Sequence, residues 1–169
     1  MDFTNGRTLI IVYMVSNLIG LLYLLAAIKA PKLARLLFLL LFGWAGWFNY
    51  TLCHKNPEAY LMYSQKSIHL YADFINGWFK EHITLFVSLI AIGQFLIAWG
   101  MLLKGIWVKL ACVGVIIFLL SIAPLGMYAA FPFSIFVLLA AWFIIKKDNK
   151  DYIWKFSIHS RKAIVNQTN

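Results

Sequence analysis

Gln94, Asn49 and His82 are the side chains best suited to hold a ligand. Gln94 falls near the middle of an apolar run and offers an amide donor and an acceptor. There it makes either an interhelical hydrogen bond or a polar contact to a quinone headgroup or lipid carbonyl. Asn49 sits towards the end of the preceding run, and His82 opens the run that holds Gln94. Trp44 and Trp47 lie in the cluster Gly43-Trp44-Ala45-Gly46-Trp47. They either pack against a neighbouring helix or form an aromatic wall for a flat apolar ligand.

Other chemistry is absent. Cys53 and Cys112 stand near opposite ends of their runs, too far apart for a disulfide, and there is no CxxC. His54, His69, His82 and His159 all avoid the middle of an apolar run, which argues against haem held within a helix bundle. No histidine spacing matches a metal-ligand motif, so no metal is expected. No nucleotide-binding, metalloprotease or hydrolase motif occurs. Proton pumps and ion-driven transporters carry ionisable groups inside their spans, and none lies mid-run here. No catalytic residue is assigned, and the chain is not expected to be an enzyme on its own.

The elements that position these residues follow from composition. Of the 169 residues, 63% are apolar and 12% charged, and mean hydropathy is +0.80. Soluble domains are about half apolar and about a quarter charged. The fold class is therefore all-α, an integral membrane helical bundle. Five apolar runs are predicted to span, at 8–28, 33–53, 82–103, 106–123 and 127–145. At about 1.5 Å per residue the first reaches about 30 Å, and it is longer than the apolar stretch of a cleaved signal. Pro31 suits the first turn of the second helix.

Charge sets the expected orientation. The turn at 29–35, the turn at 104–109 and the tail at 146–169 all carry excess Lys and Arg, and together hold the whole net charge of +9. Arg7, Lys55, Lys66 and Lys80 on the other side are cancelled by Asp2, Glu58, Asp73 and Glu81. The positive-inside rule then places the N-terminus outside and the C-terminus in the cytoplasm. The basic charge suits anionic lipid headgroups and not nucleic acid.

Residues 54–81 are too polar to span. Asn56-Pro57-Glu58 reads as a helix start. Tyr60, Tyr63, Ser67, Tyr71, Phe74 and Trp78 recur every three or four residues, as on one face of an amphipathic helix. That helix either lies in the outer headgroup layer or covers a cavity between the spans. Gly77 is its expected break.

The stretch from Gly93 to Ala111, with Gly100, Leu102, Leu103, Gly105, Lys109 and Ala111, resembles the middle of the DoxX-like membrane family. The polar insert with Asn56-Pro57 is also similar. The resemblance covers about 36–145 and divides the chain into an extra helix and basic turn at 1–35, a four-helix core at 36–145 and a tail at 146–169. Gln94 stands where the family has an acid, which puts any role needing a carboxylate in doubt. The resemblance implies association with redox enzymes of the membrane or with quinone.

Two functions are expected from these readings. One is a non-catalytic accessory subunit of a larger, redox-linked membrane complex, with lipids and other membrane subunits as partners. The other is a quinone- or lipid-binding protein with a cavity beneath the outer helix, lined by Trp44, Asn49, Gln94 and His82. No cofactor is expected beyond a possible quinone. Short loops and no organelle signal point to a bacterial plasma (inner) membrane.

Overall fold

The computed structural model describes residues 6–129 and 132–154. Asp2, His159 and the tail cations Lys155, Arg161 and Lys162 lie outside the described residues. The described residues are helical, with no strand among them. Helix α1 runs Gly6–Lys29 and α2 runs Pro31–Lys55. Only Ala30 separates them, because Pro31 needs no amide partner and can open α2 at once. Short helices follow, a 3₁₀ segment at Pro57–Gln65, α3 at His69–Phe74 and a π turn at Ile75–Phe79. The chain then enters α4, Ile83–Leu102, and α5, Ile106–Ile122. Gly105 turns between them at φ 62°, a left-handed conformation costly for residues with a Cβ. A 3₁₀ stretch, Ala123–Ala129, leads to α6, Phe133–Lys147.

Helices α2 and α4 and the stretch Ile106–Gly126 are long and apolar enough to cross a membrane, and Tyr13–Lys29 within α1 is a shorter apolar helix. The chain is thus a helical membrane protein by length and composition. The predicted start of the last run at 127 is corrected to Phe133. Gly126 takes φ 68°, Met127 belongs to the 3₁₀ stretch that ends at Ala129, and Pro132 is the N-cap of α6.

The five long helices form a closed ring. Helix α1 packs on α2, α2 on α4, α4 on α5, α5 on α6, and α6 returns to α1. Two apolar clusters fill it. One, towards the basic end, joins Phe38 and Phe42, whose rings stack, to Met101, Val108, Cys112, Val115, Val137 and Ile144. The other, towards the opposite end, joins Cys53, Tyr60, Ile75, Phe79, Ile83 and Val87. Gly100 lets α4 and α5 cross closely, since a Cβ there would stand 2.7 Å from that of Ala111.

The segment across the opposite end is not one amphipathic helix, which corrects the sequence expectation. Ile68 is extended, at ψ 154°, and ends the face begun by Tyr60 and Tyr63. The chain there bonds elsewhere: the Ile68 amide donates to the Pro124 carbonyl at 3.2 Å. Gly77 does interrupt the helix, with φ −95° and ψ −114°. The segment is thereby stitched to the connection between α5 and α6. Tyr71 Oη donates to the Ser121 carbonyl at 2.8 Å, and a Cβ on Gly126 would stand 2.9 Å from the Lys66 carbonyl oxygen.

Candidate functional site

Two polar clusters cross the helix contacts, one towards each end. The first unites two residues singled out in the sequence. Asn49 projects from α2 and its Nδ2 donates to Gln94 Oε1 on α4 at 2.9 Å. Tyr60, from the 3₁₀ segment, donates its hydroxyl to Asn49 Oδ1 at 2.9 Å. Protons therefore point one way along Tyr60, Asn49 and Gln94. Gln94 is 3% exposed. Groups so enclosed must find partners, and these find one another. Burial pushes the pKa of the Tyr60 hydroxyl up, with smaller contributions from Cys53 and Tyr63, so Tyr60 stays a protonated donor. Burial raises that of Tyr63 likewise. A step further out, Thr84 Oγ1 donates to the Cys53 carbonyl at 3.1 Å, a second tie between α2 and α4.

The other predicted ligand residues do not converge on this chain of bonds. Trp44 and Trp47 are 60% and 59% exposed, and Trp44 stacks on Phe48 at 5.3 Å. They line no interior wall. The cause is Gly46: its missing Cβ leaves α2 close to the Ala91 carbonyl, where a Cβ would stand 3.1 Å away. With about 100° between successive residues, fixing Gly46 against α4 turns both indoles off that contact. His82 stands at the rim. Its ring stacks on Trp78 at 4.4 Å, with Nδ1 2.9 Å from the Trp78 carbonyl oxygen. It borders an open depression of about 450 Å³ with Pro57, Glu58, Lys80, Glu81 and Thr84. Of the outer aromatic set only Tyr60 is buried, while Tyr63 and Tyr71 are half-buried and Phe74 and Trp78 are exposed and stacked on each other. Among the described residues no three His, Cys, Asp or Glu side chains gather as a metal-ligating group.

The second cluster was not foreseen. Arg35, expected in a basic loop, lies inside α2 and is fully buried. Its Nε and Nη2 donate to the Met101 carbonyl at 3.0 and 2.7 Å, and Nη2 to that of Leu103 at 2.5 Å. Nη1 donates to the Asp151 carbonyl at 2.7 Å and meets Asp148 Oδ1 at 3.3 Å. The guanidinium thus closes the carboxyl end of α4, whose last carbonyls have no partner within the helix. It also binds the segment that follows α6. Asp148 Oδ1 accepts from the Lys150 amide, and Gly105 N donates to the Lys150 carbonyl at 2.7 Å. Asp148 Oδ2 is buried without a hydrogen-bond partner.

A signal for this cluster existed. Arg35, Phe38, Phe42 and Gly46 repeat at three or four residues and all face inward. Val137, Ala141, Ile144 and Asp148 do the same along α6. Both charges therefore continue a buried stripe. No family model, no curated protein and no solved structure matches this chain.

Proposed function

We propose that this chain is a membrane protein of DoxX-like type that crosses the bilayer of a bacterial cell five times, with its C-terminus in the cytoplasm. Its role is that of a non-catalytic accessory subunit of a larger, redox-linked membrane complex. Closure of the ring supports five crossings: α1 and α6 each pack between two neighbours, as helices that cross together do. Two residues of the family-like pattern also have a physical reason to be small, Gly100 and Ala111 at the crossing of α4 and α5.

One observation carries the subunit reading. The interior polar groups that a ligand would need are engaged with one another, as Asn49 is with Gln94 and Tyr60. Large apolar side chains meanwhile face outward, including Trp44 and Trp47 on α2 and Leu96 and Trp99 on α4. Such a molecule presents apolar surface to lipid and to neighbouring helices, while its interior amides are taken up in holding its own helices together.

Extraction of the tagged chain from its native membrane in mild detergent, with mass spectrometry of everything retained, tests the proposal. A membrane protein retained at fixed stoichiometry is the expected result. A chain that emerges alone overturns it. A tightly held quinone without a protein partner overturns it in favour of a quinone-binding role beneath the Pro57–Phe79 cover.

A further inference from the structure

The lysines at the basic end are distributed around the ring and are held against aromatic rings. Lys104 Nζ lies 5.1 Å from the Tyr152 ring centroid, Lys146 Nζ 5.0 Å from that of Trp142 and Lys147 Nζ 5.5 Å from that of Phe143. These are cation–π distances. All three lysines are exposed. Tyr152 in turn stacks on Trp154 at 4.7 Å. Lysine stems lying along apolar rings place the ammonium groups at the level where acyl chains meet headgroups.

The charge at this end is poorly matched within the protein. Lys29 and Lys109 are exposed here as well. Only two acids stand against them among the described residues, and Asp148 is committed to Arg35. At the opposite end Lys55, Lys66 and Lys80 are balanced by Glu58, Asp73 and Glu81. The excess is also fixed in place. The bond from Gly105 to Lys150 and the Arg35 cluster lock the turn that carries Lys104 to the segment that carries Tyr152.

We propose that the basic end is a docking surface for the headgroups of anionic phospholipids, with Lys104, Lys146 and Lys147 as its contacts. The inference rests on the membrane reading and adds a lipid class to it. Complementary charge selects an anionic headgroup over a zwitterionic one. Each lysine near such a surface contributes about five-fold to binding, an effect that salt screens.

The full chain is purified in mild detergent and offered phosphatidylglycerol and phosphatidylcholine with matched acyl chains. Retained lipid is counted by native mass spectrometry. The expected result is a preference of about 25-fold, two lysines' worth, for phosphatidylglycerol. It falls at least five-fold in the triple variant K104Q/K146Q/K147Q and persists in K55Q/K66Q/K80Q. Equal retention of the two lipids by the native chain overturns the proposal, as does an equal loss in both variants. Unchanged melting of the triple variant establishes that it folds; if it melts early, loss of the native chain's preference on raising salt replaces it as the test, and a salt-independent preference overturns the proposal. Release of the chain from native membranes by alkaline carbonate contradicts the membrane reading itself, a separate failure.

Discussion

Removing the Arg35 guanidinium strands the Met101 and Leu103 carbonyls and the Asp148 carboxylate together. A buried ion pair need not be worth more than apolar residues of the same size, but breaking one costs about 3–5 kcal/mol because a buried charge is left alone. Arg35→Ala is expected to destabilise the chain by about that amount, measured as a fall in melting temperature in detergent. Arg35→Lys rescues little, since an ammonium cannot address acceptors from α4 and the 148–151 segment with one planar fork. The double variant Arg35→Met with Asp148→Leu melts above either Arg35→Met or Asp148→Leu alone. A double variant that simply adds the two losses would show that the pair is not coupled.

Among the elements, the glycines separate contacts inside the ring from those that face out of it. Gly100 touches α5 and Gly46 touches α4, whereas a Cβ on Gly43 or Gly93 would meet nothing within 4 Å. Gly100→Val is expected to cost about 1–3 kcal/mol by forcing α4 from α5. Gly43→Ala and Gly93→Ala are expected to be neutral or to stabilise by up to about 1 kcal/mol, because each leaves a helix less floppy when unfolded. Thermal melting of the three variants side by side checks the order. The contrast explains why rotation about each helix axis escaped the sequence. A helix apolar on every side has no polar face to say which way it points. Trp44 and Gly46 belong to one short cluster, yet Gly46 is buried and Trp44 is 60% exposed.

For the whole molecule, the existence and order of the helices were legible because a membrane helix is written in composition as much as in pattern. Pro31 and the 104–109 stretch marked two of the turns, the second of which Gly105 makes. The course of 54–81 was less legible, since its Tyr and Trp spacing is helical but the Ile68 amide and the Tyr71 hydroxyl bond to Pro124 and Ser121, 50 or more residues away in sequence. The pairing of Asn49 with Gln94 was foreseen as a type of contact, without its partner. Five crossings with the C-terminus inside make a specific expectation at this scale. A cytoplasm-active reporter fused after the last residue is functional, and the same reporter fused before the first is not. Activity at both ends would mean an even number of crossings.

Arg35 also imposes an order on biogenesis. Met101 and Asp148 lie 66 and 113 residues after it. At typical rates of synthesis the carboxylate leaves the ribosome on the order of ten seconds after the arginine. The nascent chain therefore carries an unmatched cation at the border of its second helix while three further long helices are made. Arg35 is long enough to wait in the headgroup layer, where water and phosphates solvate it. The α4 carbonyls offer it acceptors first, and its partners are complete when the last segment brings Asp148 and the Asp151 carbonyl. The complete set of Arg35 contacts thus joins the second helix to the last segment made, and exists only in a chain whose ring has closed.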